Sequence, residues 1–303
     1  MGSNMGDMGD MGDMGDMGYL GAGVAGGGRL PDRVDIPFVL DAVKEVWFRD
    51  CHGNWSFDVV NTKLEDVAIS VVAWPDRAWS PKWAAWLVLA EFAGSDWRTG
   101  ISVSPWSFAA QDGEIDDLIK LAVDERTDAM GEILAQNTSY VDFMAYFASL
   151  LKISARSHPK TFELLHVAGL VGILVSMHFK KYPGHGRRPR ARPSQVCPAL
   201  MPAIPIPGHP SFPSGHATQS MLMALCLGEA LAAYDDVPGR PGTWAPLLQA
   251  LSCRIARNRE IAGLHFKSDT VAGFELARKT LDKLMEGRAF TALLQDATSE
   301  WAR

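Results

Sequence analysis

Apolar residues recur every third or fourth position along most of this chain, the repeat of a helix that turns one face to a core. Val39, Val43, Val46 and Trp47 carry that repeat over residues 36–50. Residues 64–74 continue it until Pro75 stops the helix. Ser80 followed by Pro81 reads as an N-cap with proline in the first turn, and the helix it opens extends to about Gly94. Further helices are predicted over 114–134, 140–153, 161–181, 216–233, 244–262 and 269–287. No segment shows the period-two alternation of a strand. The expected fold class is all-α, a helical bundle.

The pattern breaks in three places. Residues 95–113 hold Gly, Ser, Pro and Asp and read as a loop. Residues 182–213 contain nine prolines and little periodicity, which predicts a long ordered loop; such loops in compact domains usually carry function. The first residues repeat Met-Gly-Asp and run into glycines. Sequence of that kind buries too little to stay ordered, so 1–34 is expected to be a disordered tail without a catalytic role. Residues 35–303 remain as a single helical catalytic domain. The start lacks the basic and apolar regions of a secretory leader, and Gly6 stands where myristoylation wants Ser or Thr. A cytoplasmic protein is expected. The longest apolar run, sixteen residues between Glu163 and Lys180, carries His166 and His178. A membrane span needs roughly twenty, so this run is expected to be a buried core helix and no span is expected.

Composition adds exclusions. With 47% hydrophobic residues, ten Trp and thirteen Phe, a packed body is expected. The net charge of -6 argues against a general nucleic-acid binder. The basic stretch 180–192 has only Tyr182 among its cations, without the aromatic interleaving of a nucleic-acid patch. Lys180, Arg187 and Arg190 read there as a solvated basic face. Glu114, Asp116 and Asp117 read as charges favouring a helix N-terminus. Cys51, Cys197, Cys226 and Cys253 form no CxxC pair, which predicts reduced thiols and no structural zinc.

Three short segments carry chemistry. The first runs from Lys181 through six residues to Arg188-Pro189. The second is Pro213-Ser214-Gly215-His216, just before a predicted helix. A helix start offers unpaired N–H groups and the positive end of the dipole, which suits an anion. Gly215 lets the backbone approach such an anion, and Ser214 adds a hydroxyl. The third segment is Arg259, five residues, His265, three residues, Asp269. Lys181, Arg188 and Arg259 can supply charge-assisted bonds to three anion oxygens. Asp269 can accept a bond from one ring nitrogen of His265 and leave the other free to attack or ligate. His216 suits a general acid.

Together and in this order, the segments resemble the pattern shared by class A bacterial acid phosphatases, type-2 phosphatidic acid phosphatases and vanadium haloperoxidases. The resemblance covers residues 175–275. It implies the helical bundle of that superfamily, with Lys181, Arg188, Ser214, Gly215 and Arg259 on the anion's oxygens. It implies that His265 forms a phospho-histidine in a phosphatase or bonds vanadium in a haloperoxidase. His216 would be the acid/base in both, and Asp269 would orient His265. Asn258 stands where the pattern usually has Ser. A second Arg-Pro, Arg192-Pro193, replaces Arg188 if the loop carries a four-residue insertion. Algal bromoperoxidases have a His five residues before the Ser, here His209, where it would hydrogen-bond the vanadate-bound group.

Three functions follow as expectations. The first is metal-ion-independent hydrolysis of small phosphate monoesters, with no cofactor. The second is vanadate-dependent halide oxidation with hydrogen peroxide, with vanadate as cofactor. The third is non-catalytic phosphate binding. None calls for nucleic acid or a membrane span; a homo-oligomer stays open.

Overall fold

The computed structural model describes residues 79–107, 111–183, 188–235 and 242–301. The tail 1–34, the helices predicted at 36–50 and 64–74, Cys51, His52, His185 and Arg187 lie outside the described residues. Within them every regular element is a helix. They are α1 (Pro81–Gly94), α2 (Trp97–Gly100), α3 (Gln111–Asp124), α4 (Arg126–Ala135), α5 (Tyr140–Leu151) and α6 (Pro159–Lys181). After the proline-rich loop, with its one-turn α7 (Pro193–Val196) and a 3-10 turn at Pro198–Leu200, come α8 (Gly215–Asp235), α9 (Trp244–Ile261), α10 (Lys267–Leu284) and α11 (Arg288–Trp301).

α8 is the axis of the bundle. Met221, Leu222, Met223, Ala224, Cys226 and Leu227 are all buried, so it is apolar round its circumference. A helix of that kind must be enclosed by others. α5, α6, α9, α10 and α11 enclose it. Two glycines set how closely they approach. A Cβ on Gly172 of α6 would lie 2.8 Å from Gln219 Cγ, and one on Gly273 of α10 would lie 2.8 Å from both Ala217 Cβ and Ser214 O. The start of α8, where the Ser-Gly-His segment lies, is thus pressed against both neighbours.

α6 is long and apolar enough to cross a membrane by length and composition alone, yet 72% of its most apolar stretch is buried in the bundle. α1 and α11 pack on it. Glu300 of α11 accepts from the amides of Lys160 and Thr161 at 2.8 Å each and so caps α6. α5 starts with a capping box: Ser139 Oγ accepts from Val141 N, and Asp142 accepts from Ser139 N.

The structure departs from the sequence pattern in three elements, the first being α2, a single turn inside the residues 95–113 read as a loop. The single helix expected over 114–134 is two, broken at Glu125, whose φ of -122° leaves the helical region. The break lets α4 turn onto α9, where Arg257 bonds Glu125 and Arg254 bonds Glu132. α11 was not anticipated, although Phe290, Leu293 and Ala297 repeat at helical spacing and are buried.

Candidate anion-binding active site

The end of α9 sets the geometry. Gly263 takes φ +77°, the left-handed conformation that glycine adopts without strain. Its N–H bonds Glu260 O at 2.8 Å, and Leu264 N bonds Arg259 O at 3.0 Å, closing the helix as a Schellman turn. That reversal carries the chain from Arg259, in the last turn of α9, round to His265. Asp269 follows in the first turn of α10 and accepts from Phe266 N at 3.0 Å, capping the helix.

His265 Nδ1 lies 3.2 Å from Asp269 Oδ2. On the other side of the ring, Arg192 Nη1 lies 3.1 Å from Nε2. Arg192 can only donate, so the network assigns the proton to Nδ1 and the lone pair to Nε2. Ser211 Oγ also donates to Asp269 Oδ2. Burial, with Arg192 next in weight, pushes the His265 pKa well below the imidazole range. Burial opposes ionisation of Asp269, but its bond from His265, with Arg190 and Ser211, outweighs this and holds the carboxyl at about 2.

His216 lies in the first turn of α8. Its Nε2 donates to Gln136 O at 2.8 Å, beyond the end of α4, which leaves Nδ1 to exchange protons. Burial, then the positive charge of Arg259, lowers its pKa to about 3. Arg192 and Lys180 add to the same push. Ser214 is fully buried, and its N–H donates to Asp269 O at 3.0 Å, tying the start of α8 to the start of α10. Its Oγ accepts from Ala217 N at 3.4 Å. A Cβ on Gly215 would meet only Ser176 Oγ, at 3.6 Å.

Arg259 is 0% exposed, yet only its Nη2 is bonded, to Ile133 O at 2.8 Å. Its Nε and Nη1 have no partner. Burial lowers its pKa to about 10, as it does that of Arg192. Lys180 Nζ donates to the carbonyls of Pro210 and Ser211, and burial, with Arg192 beside it, pulls its pKa well down. No carboxylate pairs with Lys180, Arg192 or Arg259 among the described residues. Asp269, the carboxylate that acts on Lys180 and Arg192, is instead bonded to a fourth cation, Arg190, which Glu114 also pairs. Buried cations are normally paired. Three without a carboxylate beside two histidines make a site with the charge and the donors to take an oxyanion.

The structure brings together His265, His216, Asp269, Ser214, Gly215, Arg259 and Arg192. It does not bring in Lys181 or Arg188, both exposed. The cations at those places in the cluster are Lys180 and Arg192. Helical phase explains the lysine: Gly172, Ser176 and Lys180 share a buried face of α6, and Lys181 lies about 100° away from it. For the arginine, Pro193 opens the turn α7 and leaves Arg192 just before it, 1% exposed. Reading Lys180 and Arg190 as a solvated face is corrected, since each is 2% exposed. His209 is partly buried, with Nδ1 3.0 Å from Arg192 Nη2. Asn258, in place of the usual Ser, donates to Glu132 and Gln136 and so holds the segment whose carbonyl receives His216.

Sequence reasoning missed Ser211, Gln136, Glu114 and Arg190. Gln136 acts through a backbone carbonyl, for which no residue type is a signal. Glu114 was seen, but only as a helix-start charge. A scan against protein-family models finds no match for this chain, and a search of curated proteins finds none either.

Proposed function

We propose that this site hydrolyses small phosphate monoesters through a phosphorylated His265. The observation that carries the reading is Arg259: a fully buried guanidinium with two unbonded nitrogens, whose charge acts on His216. Arg259, Arg192 and Lys180 hold the phosphoryl oxygens, and their charges meet the negative charge that grows in the transition state. His265 Nε2 attacks phosphorus while Asp269 retains the proton on Nδ1. The P–O ester bond breaks, and the leaving oxygen takes a proton from His216 Nδ1. Water then attacks the phospho-histidine, giving its proton back to His216 and releasing phosphate. His216 is neutral in the anion-free site. A bound phosphate places negative charge among the cations that depress its pKa, and so restores the proton that the first step consumes.

His209 favours a second reading, vanadate-dependent halide oxidation, because its ring rests on Arg192 at the edge of the cluster. The same cations and His265 Nε2 fit vanadate, which would supply activation of peroxide for oxidation of halide. One purified sample tests both. Phosphate release from an aryl phosphate is measured first, then bromination with peroxide after vanadate loading. The phosphatase reading expects release, its loss in His265→Ala, and no bromination. Bromination without release sinks it. Tight phosphate binding with neither activity favours a binding protein.

A further inference from the structure

Arg190 is buried between two aromatic rings, with its guanidinium carbon 3.7 Å from the Phe266 ring centre and 4.8 Å from that of Trp106. Its two terminal nitrogens serve different carboxylates. Nη1 donates to Asp269 Oδ1 at 2.7 Å and to Ser268 Oγ at 2.6 Å, and Nη2 donates to Glu114 Oε2 at 2.8 Å. Glu114 also receives Ser268 N at 2.6 Å and Ser268 Oγ at 2.9 Å. α3, the proline-rich loop and the first turn of α10 are thus clamped by one planar cation. Neither residue reaches His265 itself.

The division of Asp269 between its two oxygens gives the clamp its meaning. Oδ1 is taken by Arg190; Oδ2 is left for His265 Nδ1, Ser211 Oγ and Phe266 N. We propose that Arg190 and Glu114 are positioning residues of this site: by fixing Asp269 Oδ1 they hold Oδ2 on His265 Nδ1 and keep the lone pair of His265 on Nε2, facing Arg192. A lysine cannot replace Arg190, because an ammonium is a point donor and lacks the planar fork that spans two carboxylates. The consequence for anion binding rests on the function proposed above; the consequence for the histidine tautomer does not.

The test therefore reads both. Histidine-selective 15N labelling, with His265→Ala to identify the signal, reports which nitrogen of His265 carries the proton. Calorimetry with inorganic phosphate and with orthovanadate reports affinity. The wild type is expected to show one tautomer, protonated at Nδ1. Arg190→Met and Arg190→Lys are expected to lose that single tautomer while remaining folded by circular dichroism. Their phosphate affinity is expected to fall roughly 10–100-fold, as for losses of residues that orient a ligating histidine. Glu114→Gln is expected to show a smaller change in the same direction, with Glu114→Asp closer to wild type. A single Nδ1-protonated tautomer and unchanged affinity in Arg190→Met overturn the proposal. If that variant does not fold, Glu114→Gln decides, and a wild-type tautomer there overturns it. A tautomer lost in Arg190→Met, with no phosphate or vanadate bound by the wild type, keeps the positioning role and removes the anion-site reading.

Discussion

At the scale of single residues, Arg259 is a cost to the fold on which the proposed anion site rests. A buried guanidinium with two unbonded nitrogens destabilises the empty protein, and neutral replacements of such groups are often neutral or stabilising. Arg259→Met is expected to leave stability to urea unchanged, or raised by up to about 2 kcal/mol, because losing the bond to Ile133 O offsets part of the gain. The same variant is expected to lose phosphate release by roughly 100-fold or more. Loss of several kcal/mol of stability would instead mark Arg259 as a structural residue. Its place in the site was legible, because its spacing to His265 along the chain is set by one local turn at Gly263. The lysine and the loop arginine were less legible. Their distance from the histidines in sequence leaves only local spacing as a guide, and that spacing selects Lys181 and Arg188, whereas the buried pair is Lys180 and Arg192. Helical phase separates Lys180 from Lys181 once α6 is known to be buried.

At the scale of elements, the site depends on how closely α8 and α10 approach. Gly273→Ala drives a methyl into Ala217 and the Ser214 carbonyl, both 2.8 Å from the new carbon. Because backbone must move, about 1–3 kcal/mol of stability is expected to be lost. Phosphate release is expected to fall as well, since Ser214 is displaced from Asp269. Gly215→Ala is the control: its nearest neighbour is 3.6 Å away, so stability to urea is expected to hold within about 1 kcal/mol while activity falls. Equal destabilisation of the two variants would show that packing at Gly273 is not special. Most helices were legible from periodicity and caps. The break at Glu125 was not, because the ion pairs between α4 and α9 that accompany it join residues more than a hundred positions apart.

At the scale of the whole molecule, the buried histidines set an acid limit. His166 accepts or donates at Nδ1 with Tyr140 Oη at 2.9 Å, and burial, with Lys82 adding to it, lowers its pKa to about 4. In the unfolded chain an imidazole titrates near 6.5. The unfolded state therefore binds more protons between these values. Stability is fully present above about pH 6.5 and is lost as pH falls towards 4, by about 3 kcal/mol for this residue alone. His216 and His265 push in the same direction. His166→Gln keeps a hydrogen-bonding group without the titration. Urea unfolding of it between pH 7 and 4 is expected to show a shallower fall than wild type; an identical slope would remove His166 as a cause.

Lys180 ends α6, Arg192 lies in the proline-rich loop and Arg259 ends α9, so only folding brings these like charges together. Their repulsion is small in the unfolded chain and greatest in the finished bundle. If the proposed site holds an oxyanion, that anion would be a component of the native structure that the chain does not encode but draws from solution. By mass action, the concentration of that free anion would then set how firmly the last pieces of the bundle stay closed.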